Sequence, residues 1–332
     1  MMRYGAENRR QEVYAHGYTN VVFQYILTYQ IEGPGPFVSK RDTCKNDYTP
    51  LRNNVMWTDN FCQKVHPHES WFLHNSKGER LYTKEKNWDG TDIYSYYMNP
   101  ASEGFRTFWI AQIKLQHDAG WQAFFLDNVG LSYKYLATGP SNQDGSVKEY
   151  TSDEAWSRAL TSFLDAIHAA FPQHPIWGNM VEGVFEPGAW NPFIDHLDGF
   201  QEENFATNWA SQPPLTSSQW SAMMDRTEQA LARGKSVVLY GQGDRNDLAR
   251  MRFSLASYLL IATVDSRATF RYTHTGSYPE LWWYPEYDLN LGMPLGKRYR
   301  EGSRWVRNFQ CARVSVDPVQ HTGRIEPHAC KS

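Results

Sequence analysis

Two short stretches of the chain place carboxylates directly after apolar runs. The first reads AGWQAFFLDNVGLS over residues 119–132, where the run from Trp121 to Leu126 is followed by Asp127 and Asn128. A carboxylate beside so apolar a strand is costly to bury without a partner, whereas the carboxyl end of a barrel strand is where active-site residues lie. The alternative for Asp127 is to cap the next turn, a position that Asp also favours. Asp127 is therefore the first candidate for chemistry.

The second stretch, LDGFQEEN over residues 197–204, carries Glu202 and Glu203. Side chains alternate between the two faces of a strand, so the two glutamates cannot share one face. If Gly199 and Gln201 face the interior, Glu203 does so as well and Glu202 points the other way. The alternative is a solvated acidic loop.

A pair of carboxylates at strand ends on one rim is what the hydrolysis of a glycosidic bond requires. One carboxylate attacks the sugar or stabilises its charge, and the other protonates the leaving oxygen. We predict Asp127 in the first role and Glu203 as the general acid/base. A separation of about 5–5.5 Å between the two would indicate retention of configuration, and about 6.5–9.5 Å would indicate inversion.

Polar and aromatic residues near other predicted strand ends are candidates for binding a sugar. Amides and carboxylates can hydrogen-bond hydroxyls, with loop capping as the alternative, and aromatic rings can stack on a sugar, with core packing as the alternative. A composition with 13 Trp and 20 Tyr is compatible with both roles of the rings. The candidate substrate-binding residues are Asn128, Asn179, Trp177, Glu202, Gln242, Tyr240 and Trp282.

Short apolar runs alternate with amphipathic helical patterns along the chain, which is typical of a parallel α/β sheet. Eight runs predict an α/β fold of the (β/α)8 TIM-barrel type. The run at 71–74 has a loop hairpin as its alternative, in which case the first barrel strand is lacking or truncated. We expect a barrel domain over residues 1–302 and a short C-terminal β appendage over 303–332. The predicted barrel strands are Val21–Ile26, Trp71–His74, Ile93–Met98, Trp121–Leu126, Pro175–Val181, Leu197–Glu203, Ser236–Tyr240 and Ala268–Tyr272.

Helical periodicity fills the intervals between several of these strands. It predicts helices over 102–117, 218–233 and 247–262. A further helix begins at Thr151, which Glu154 follows three residues later in a capping-box pattern.

Composition and motifs argue against several partners and chemistries. A net charge of −3 without a basic stripe argues against nucleic acid, and no apolar run approaches the ~20 residues that a membrane span needs. No GxSxG or Walker sequence is present, and the GQG at 241–243 lacks the third glycine of a dinucleotide site. The HPH at 66–68 has the form of a metal-binding pair but precedes a predicted strand instead of ending one. We therefore predict no metal and no other cofactor.

Four cysteines leave the redox state open. Cys44 with Cys62 and Cys311 with Cys330 can form bridges, and buried free thiols are an equal alternative. The N-terminal residues MMRYGAENRRQ lack the apolar segment of a signal peptide. The compartment and the oligomeric state are thus undetermined, with an extracellular location expected if the N-terminus is truncated.

Six motifs and a terminal segment, WVRNFQCARVSVDP, form a recognisable set. The motifs are WFLHNSKGERLY (71–82), YYMNP (96–100), GWQAFFLDNVGLS (120–132), DGFQEENFA (198–206), RFSLASYLL (252–260) and LGMPLGKRY (291–299). Together they resemble the hypothetical glycosyl hydrolase family 15, and the strands that carry the two acids are also similar to endo-α-1,4-polygalactosaminidase barrels. The resemblance implies a TIM-barrel glycosidase whose acidic pair is Asp127 and Glu203.

The function predicted from the sequence is hydrolysis of O-glycosidic bonds in an oligo- or polysaccharide. The first rival hypothesis is a carbohydrate-binding barrel with weak or no catalysis, in which the acids only bind hydroxyls. The second is a metal-dependent hydrolase built on the scattered histidines.

Overall fold

A computed structural model describes residues 1–2, 6–34, 44, 61–86, 90, 92–138, 145–181 and 188–330. They fall into two units, the first Met1–Glu182 with Asp195–Leu197 and the second Gly183–Ile194 with Asp198–Ser332. The domain boundary between residues 302 and 303 stays a prediction.

Thirteen strands occur among the described residues, and they pair into three sheets. In chain order they are β1 (Gln24–Leu27), β2 (Gln30–Gly33), β3 (Tyr82–Lys86), β4 (Asp92–Tyr97), β5 (Phe124–Gly130), β6 (Ile176–Val181), β7 (Gly199–Glu202), β8 (Ser236–Gln242), β9 (Ala268–Thr273), β10 (Tyr299–Glu301), β11 (Arg304–Asn308), β12 (Ala312–Asp317) and β13 (Thr322–Pro327).

The largest sheet is parallel and has the strand order β1-β5-β6-β7-β8-β9. The two smaller sheets are antiparallel, one in the order β2-β4-β3 and the other running from β10 to β13 at the C-terminal end. The α/β class and the C-terminal β segment are thereby confirmed. Closure of the parallel sheet into a barrel stays a prediction.

Two of the eight predicted barrel strands are wrong. The predicted strand Ile93–Met98 corresponds to β4, which pairs antiparallel with β2 and β3. In the run at 71–74, Phe72 forms an isolated antiparallel bridge with Met98, and His74 forms one with Arg80. The hairpin alternative therefore fits this run. Alternating apolar residues look the same in both kinds of sheet, because the pairing partner lies far away in the chain.

Five α-helices occur in the described part of the chain, and four have a side-chain N-cap. Ser102, Thr216 and Asp247 cap α2, α4 and α5, and Ser152 caps α3 in place of the predicted Thr151. None of the described helices is long and apolar enough to cross a membrane. The helices are α1 (Glu7–Ala15), α2 (Glu103–Asp118), α3 (Asp153–Ala170), α4 (Ser217–Ala232) and α5 (Leu248–Ile261).

The alternation of side chains along strand β5 determines on which face Asp127 lies. Phe124 is fully buried and contacts the ring of Phe171 at the end of α3, with centroids 5.1 Å apart. Phe125 faces the other way and lies 6.2 Å from the ring of Tyr25 on β1. Because residues two apart share a face, Asp127 lies on the side of Phe125. Both faces of β5 are buried at Phe124 and Phe125, and Asp127 lies farther along the face of Phe125.

The four cysteines form two disulfides, Cys44–Cys62 and Cys311–Cys330. The alternative of free thiols, which the sequence left open, is therefore wrong. The bridged residues are 18 and 19 positions apart, and closing loops of this length removes on the order of 3 kcal/mol of chain entropy from the unfolded state.

His74 is buried between two carboxylates in the first unit. Its Nδ1 lies 2.7 Å from Oε1 of Glu149, and its Nε2 lies 2.9 Å from Oε1 of Glu69. The hydrogen bonds to Glu149 and Glu69 raise the pKa of His74 to about 9. Hydrogen bonds from Arg80 and His74 lower the pKa of Glu69 to about 2. This charged cluster links the hairpin at 72–80 to residue 149.

We predict that this cluster makes the free energy of unfolding depend on pH. The contribution of His74 is fully present below its ordinary pKa of 6.5 and is lost as the pH rises through about 9. The contribution of Glu69 is fully present above its ordinary pKa of 4.5 and is lost as the pH falls toward about 2. Urea unfolding of the full chain should therefore give a lower free energy of unfolding at pH 9.5 than at pH 6. In His74→Gln this difference between the two pH values should be smaller.

The matched control is His117→Gln, since His117 is a partly exposed histidine of the same unit that pairs with the exposed Asp118. This variant should keep the pH dependence of the parent protein. An unchanged difference between the two pH values in His74→Gln would contradict the assignment.

Candidate active site

The sequence predicts that Asp127 directly follows its strand, but in the structure Asp127 lies inside β5, at an irregularity of the strand. The strand continues to Gly130, and its register with β6 shifts between Leu126 and Val129. At this bulge Asn128 has a φ of 58°, a left-handed conformation that Asn tolerates better than most residues. Bulges re-aim side chains and are common beside active sites. The bulge thus sets the direction of the Asp127 side chain.

Three described groups donate hydrogen bonds to the Asp127 carboxylate. The hydroxyl of Tyr25 donates to Oδ2, while Nδ2 of Asn179 and the backbone N–H of Asn128 donate to Oδ1 over 2.8 and 2.9 Å. The Asn128 side chain in turn donates to Oε1 of Gln30 over 2.5 Å. Both oxygens of the carboxylate are therefore acceptors, which suits a nucleophile or a stabiliser of positive charge. We name Tyr25, Asp127, Asn128 and Asn179 the Asp127 cluster.

Glu203 follows β7 directly and is half-buried. The hydroxyl of Tyr278 donates to its Oε1 over 2.9 Å. Nε2 of Gln242 donates to the Tyr278 hydroxyl over 3.0 Å and to the backbone oxygen of Glu203 over 2.7 Å. The Tyr240 ring completes the group, 5.7 Å from the Tyr278 ring. We name Glu203, Gln242, Tyr240 and Tyr278 the Glu203 cluster.

The two tyrosines of this cluster are held in the neutral form. Burial, followed by the negative charge of Glu203, raises the pKa of Tyr278. Burial also raises the pKa of Tyr240, against the opposing charge of Arg271. Tyr278 therefore keeps its hydroxyl proton and remains a hydrogen-bond donor to Glu203 at any ordinary pH.

Arg250 of α5 holds the turn that follows Glu203. Its guanidinium donates to the backbone oxygens of Thr207 and Gln242, each over 2.6 Å. Ala206 in this turn has a φ of 63°, which is unfavourable for a residue with a Cβ and needs such support. Arg250 thus joins the turn after Glu203 to the end of β8.

Glu202, which the sequence predicts to bind substrate, forms a buried ion pair in the structure. Its side chain is on the α4 side of the sheet and pairs with Arg226, the two residues being 3% and 2% exposed. The Arg226 guanidinium lies 5.1 Å from the Trp190 ring, which stacks on Phe200 at 4.9 Å. Burial raises the pKa of Glu202, and the charge of Arg226 opposes this shift. The opposite orientations of Glu202 and Glu203 agree with strand alternation.

Trp282, which the sequence predicts to bind substrate, belongs to the core in the structure. It is 4% exposed, lies 6.2 Å from the Tyr272 ring and donates its N–H to Glu280. Trp177 is half-buried and its ring lies 4.6 Å from that of Phe23. Core packing, the alternative for both tryptophans, thus accounts for Trp282, and a sugar-binding role for Trp177 stays a prediction.

The histidines of the HPH sequence serve other contacts. The Nδ1 atom of His66 is 3.1 Å from Nη1 of Arg80. The ring of His68 stacks on that of Trp71, with the ring centroids 4.2 Å apart. In the ranges that the structure describes, no group of three or more His, Cys, Asp or Glu is arranged to hold a metal ion.

Sequence reasoning missed the two tyrosines that contact the acids. Tyr25 lies on a predicted strand, and its hydroxyl meets a residue 102 positions away. Tyr278 follows β9 in a polar loop and contacts Glu203 from 75 positions away. The only sequence feature that could have pointed to either tyrosine is the position of Tyr25 on a predicted strand.

The fold and the two clusters define an α/β chain that holds one carboxylate at a bulge inside a parallel strand and another directly after a parallel strand. The chain belongs to the hypothetical glycosyl hydrolase family 15, whose family model matches residues 44–313. No curated protein matches its sequence.

Three solved structures illustrate how distant its structural relatives are. The glycoside hydrolase domain of PelA from Pseudomonas aeruginosa is 14% identical with a TM-score of 0.48, over 81% of this chain and 83% of that one. Aspergillus fumigatus Ega3 in complex with galactosamine is 13% identical with a TM-score of 0.41, over 81% and 79%. The alpha-galactosidase TtGalA from Thermus thermophilus is 11% identical with a TM-score of 0.45, over 96% and 55%. Likenesses this weak carry no argument about function.

We predict that Tyr278→Phe alters the pH dependence of turnover. The hydroxyl donates to Oε1 of Glu203 and so favours the ionised carboxylate, which must form when a general acid gives up its proton. Without it, the basic limb of the kcat/KM profile should move to higher pH and kcat should fall about tenfold. The measurement is a pH–rate profile on a substrate that the parent protein cleaves.

The control for this variant is Tyr240→Phe, which removes a hydroxyl from the neighbouring ring of the same cluster. Its pH profile should match that of the parent protein. Equal shifts in both variants would indicate a general change in burial instead of the loss of one hydrogen bond.

We predict that Glu202→Gln destabilises the protein by about 3–5 kcal/mol, because it leaves the Arg226 charge buried without its partner. Replacing both partners by apolar residues, in Glu202→Leu with Arg226→Met, should recover most of that loss. Chemical unfolding measures both changes. A loss in Glu202→Gln within ~0.5 kcal/mol of zero, as for an ordinary surface change, would contradict the buried pair.

Proposed function

We propose that this protein is a glycoside hydrolase that cleaves O-glycosidic bonds of an oligo- or polysaccharide, with Asp127 and Glu203 as the catalytic residues. The observation that carries the proposal is that tyrosine and amide donors hold both acids, whereas the neighbouring Glu202 is neutralised by Arg226. Membership of a glycosyl hydrolase family supports the same reaction class.

The chemistry would follow from the roles of the two acids. Glu203 gives its proton to the glycosidic oxygen as the bond from that oxygen to the anomeric carbon breaks. Asp127 donates electron density to the anomeric carbon or stabilises the positive charge that develops there. A water molecule then supplies hydroxyl to the anomeric carbon, and its proton returns to the carboxylate that acts as base.

The donors around Asp127 support its role as the electron-rich partner. Tyr25 and Asn179 hold the carboxylate in one orientation by donating hydrogen bonds to its two oxygens. Around Glu203, Tyr278 and Gln242 fix the side chain and the backbone together. Orientation of this kind removes part of the entropy cost of the reaction.

We also propose that the six parallel strands form part of a (β/α)8 barrel, whose C-terminal face would hold both acids. In that arrangement Asn128 and Asn179 beside Asp127, and Gln242 and Tyr240 beside Glu203, would bind sugar hydroxyls or rings. The two disulfides support an oxidising compartment as the place where the protein works.

We predict that Asp127→Asn and Glu203→Gln each lower turnover by a factor of about 10² or more, the scale of a lost acid or nucleophile. Glu202→Gln, assayed at a temperature where it stays folded, should lose much less, because its side chain points away from the Glu203 cluster. The screen uses a panel of aryl glycosides and polysaccharides with reducing-end release as the measurement. The parent protein should also show a bell-shaped pH dependence of kcat/KM.

Binding separates this function from the rival one. Asp127→Asn should still bind the saccharide that the parent protein cleaves, since the aromatic and amide groups remain. A saccharide that binds well and is never cleaved by the unmutated protein at any pH would instead identify a carbohydrate-binding module.

A further inference from the structure

The segment after β9 holds one tryptophan in solvent between two buried aromatic residues. Trp282 and Tyr284 are 4% and 5% exposed and pack with Tyr272 in a core cluster. Trp283 between them is 61% exposed. The backbone is thus anchored on both sides, and the exposed ring cannot turn inward without pulling a neighbour out of the core.

The orientation of the Trp283 ring is fixed although most of its surface is exposed. Its Nε1 donates to Oδ2 of Asp288 over 2.9 Å, and its ring meets the Tyr287 ring at 5.6 Å and 84°. Tyr287 itself packs on Tyr284 at 5.5 Å and accepts a hydrogen bond from the backbone of Tyr272. The polar edge of the indole is therefore satisfied internally. What remains for a ligand is the apolar face of the ring.

Trp283 belongs to the same loop as Tyr278, which contacts Glu203. The two residues are five positions apart, so their Cα atoms lie within ~18 Å of each other. A saccharide chain of several residues can span any distance up to that limit. Trp283 is therefore within reach of a polymer whose cleaved bond lies at the Glu203 cluster.

We propose that Trp283 is a sugar-binding platform that stacks on a pyranose ring of a non-acidic polysaccharide whose cleaved bond lies at the Glu203 cluster. This inference rests on the proposed function and makes its substrate a polymer. An aromatic ring offers the flat apolar face that the C–H side of a pyranose covers, and a fixed ring loses little rotamer entropy on binding.

The chemistry around the ring favours a sugar without acidic groups. The carboxylate of Asp288 lies at the indole edge, and that of Glu280 accepts from the neighbouring Trp282. Both side chains are exposed, and they would repel a uronate while accepting hydrogen bonds from neutral or amino sugars. A protein partner fits less well, because one indole face offers far less than the ~1,000 Å² that a specific protein interface buries.

The first test measures binding without turnover, in the Glu203→Gln background. Affinity gel electrophoresis uses soluble starch, galactomannan, glycol chitosan and polygalacturonate as probes. At least one of the first three should retard the protein, and Trp283→Ala should weaken that binding about tenfold or more, while Trp283→Phe should stay within about threefold. Failure of all three to retard the protein, retardation confined to polygalacturonate, or unchanged binding in Trp283→Ala would overturn the proposal.

Two matched variants show whether the effect belongs to this ring. Leu281→Ala removes a residue of the same loop that is 73% exposed, and Tyr299→Ala removes an aromatic residue that is 41% exposed in a groove of about 490 Å³ on the C-terminal sheet. Neither should change the affinity by more than about twofold. A loss in Leu281→Ala or Tyr299→Ala as large as in Trp283→Ala would overturn the proposal, as would a change of oligomeric state confined to Trp283→Ala in sedimentation.

The second test separates this inference from the proposed function. In the unmutated background, Trp283→Ala should lower kcat/KM on the polymer about tenfold more than on an aryl glycoside. Normal turnover of the polymer by Trp283→Ala would overturn the platform and leave the hydrolase standing. Binding that depends on Trp283 in a protein that cleaves nothing would overturn the hydrolase and leave the platform standing.

Discussion

The geometry of the second unit depends on one buried ion pair. Glu202 sits inside the protein, where a carboxylate is stable only with a partner, and Arg226 of α4 supplies it. The pair fixes the register of β7 against the helix. Because successive side chains of a strand point in opposite directions, Glu203 must then face Tyr278 and Gln242. A shift of β7 by one residue would turn Glu203 toward α4 and bury it there, and it would separate Glu202 from Arg226.

The two acids reach their positions by different backbone devices. Asp127 lies within a strand, and the bulge at Asn128 turns it without ending the sheet. Glu203 lies after a strand that stops, and the turn behind it contains Ala206 in a left-handed conformation. Both the bulge and the turn carry a cost in backbone strain, and both are stabilised by hydrogen bonds with distant residues. The Asn128 side chain donates to Gln30, and Arg250 donates to a backbone oxygen of the turn. Strain of this kind is retained where a side chain must point in an unfavourable direction.

The sequence predicts what alternation and local composition determine, and it fails where the partner is distant. Alternation alone separates Glu203 from its neighbour, and apolar runs locate the six parallel strands. The same reasoning misassigned the run at 93–98, because an alternating aromatic segment does not encode whether its partner is parallel or antiparallel. Among three consecutive aromatic residues it chose Trp282, since such a run carries no signal for which ring is buried. Tyr25 and Tyr278 act on the acids across 102 and 75 positions, a distance that no local pattern can report.

Three carboxylates of this chain show how the partner of a carboxylate determines whether it serves structure or is suited to catalysis. Burial raises the pKa of Glu202, and Arg226 opposes that shift with a full charge. The cost of removing either partner makes the pair structural. Glu69 shows the opposite shift, because hydrogen bonds from Arg80 and His74 lower its pKa to about 2, and it cannot give up a proton at neutral pH because it holds none. Glu203 receives a hydrogen bond from the neutral hydroxyl of Tyr278, which orients the side chain without pairing it with a full charge. A residue that must alternate between acid and base needs a partner of that kind, and this is the physical reason for preferring Glu203 to its neighbour.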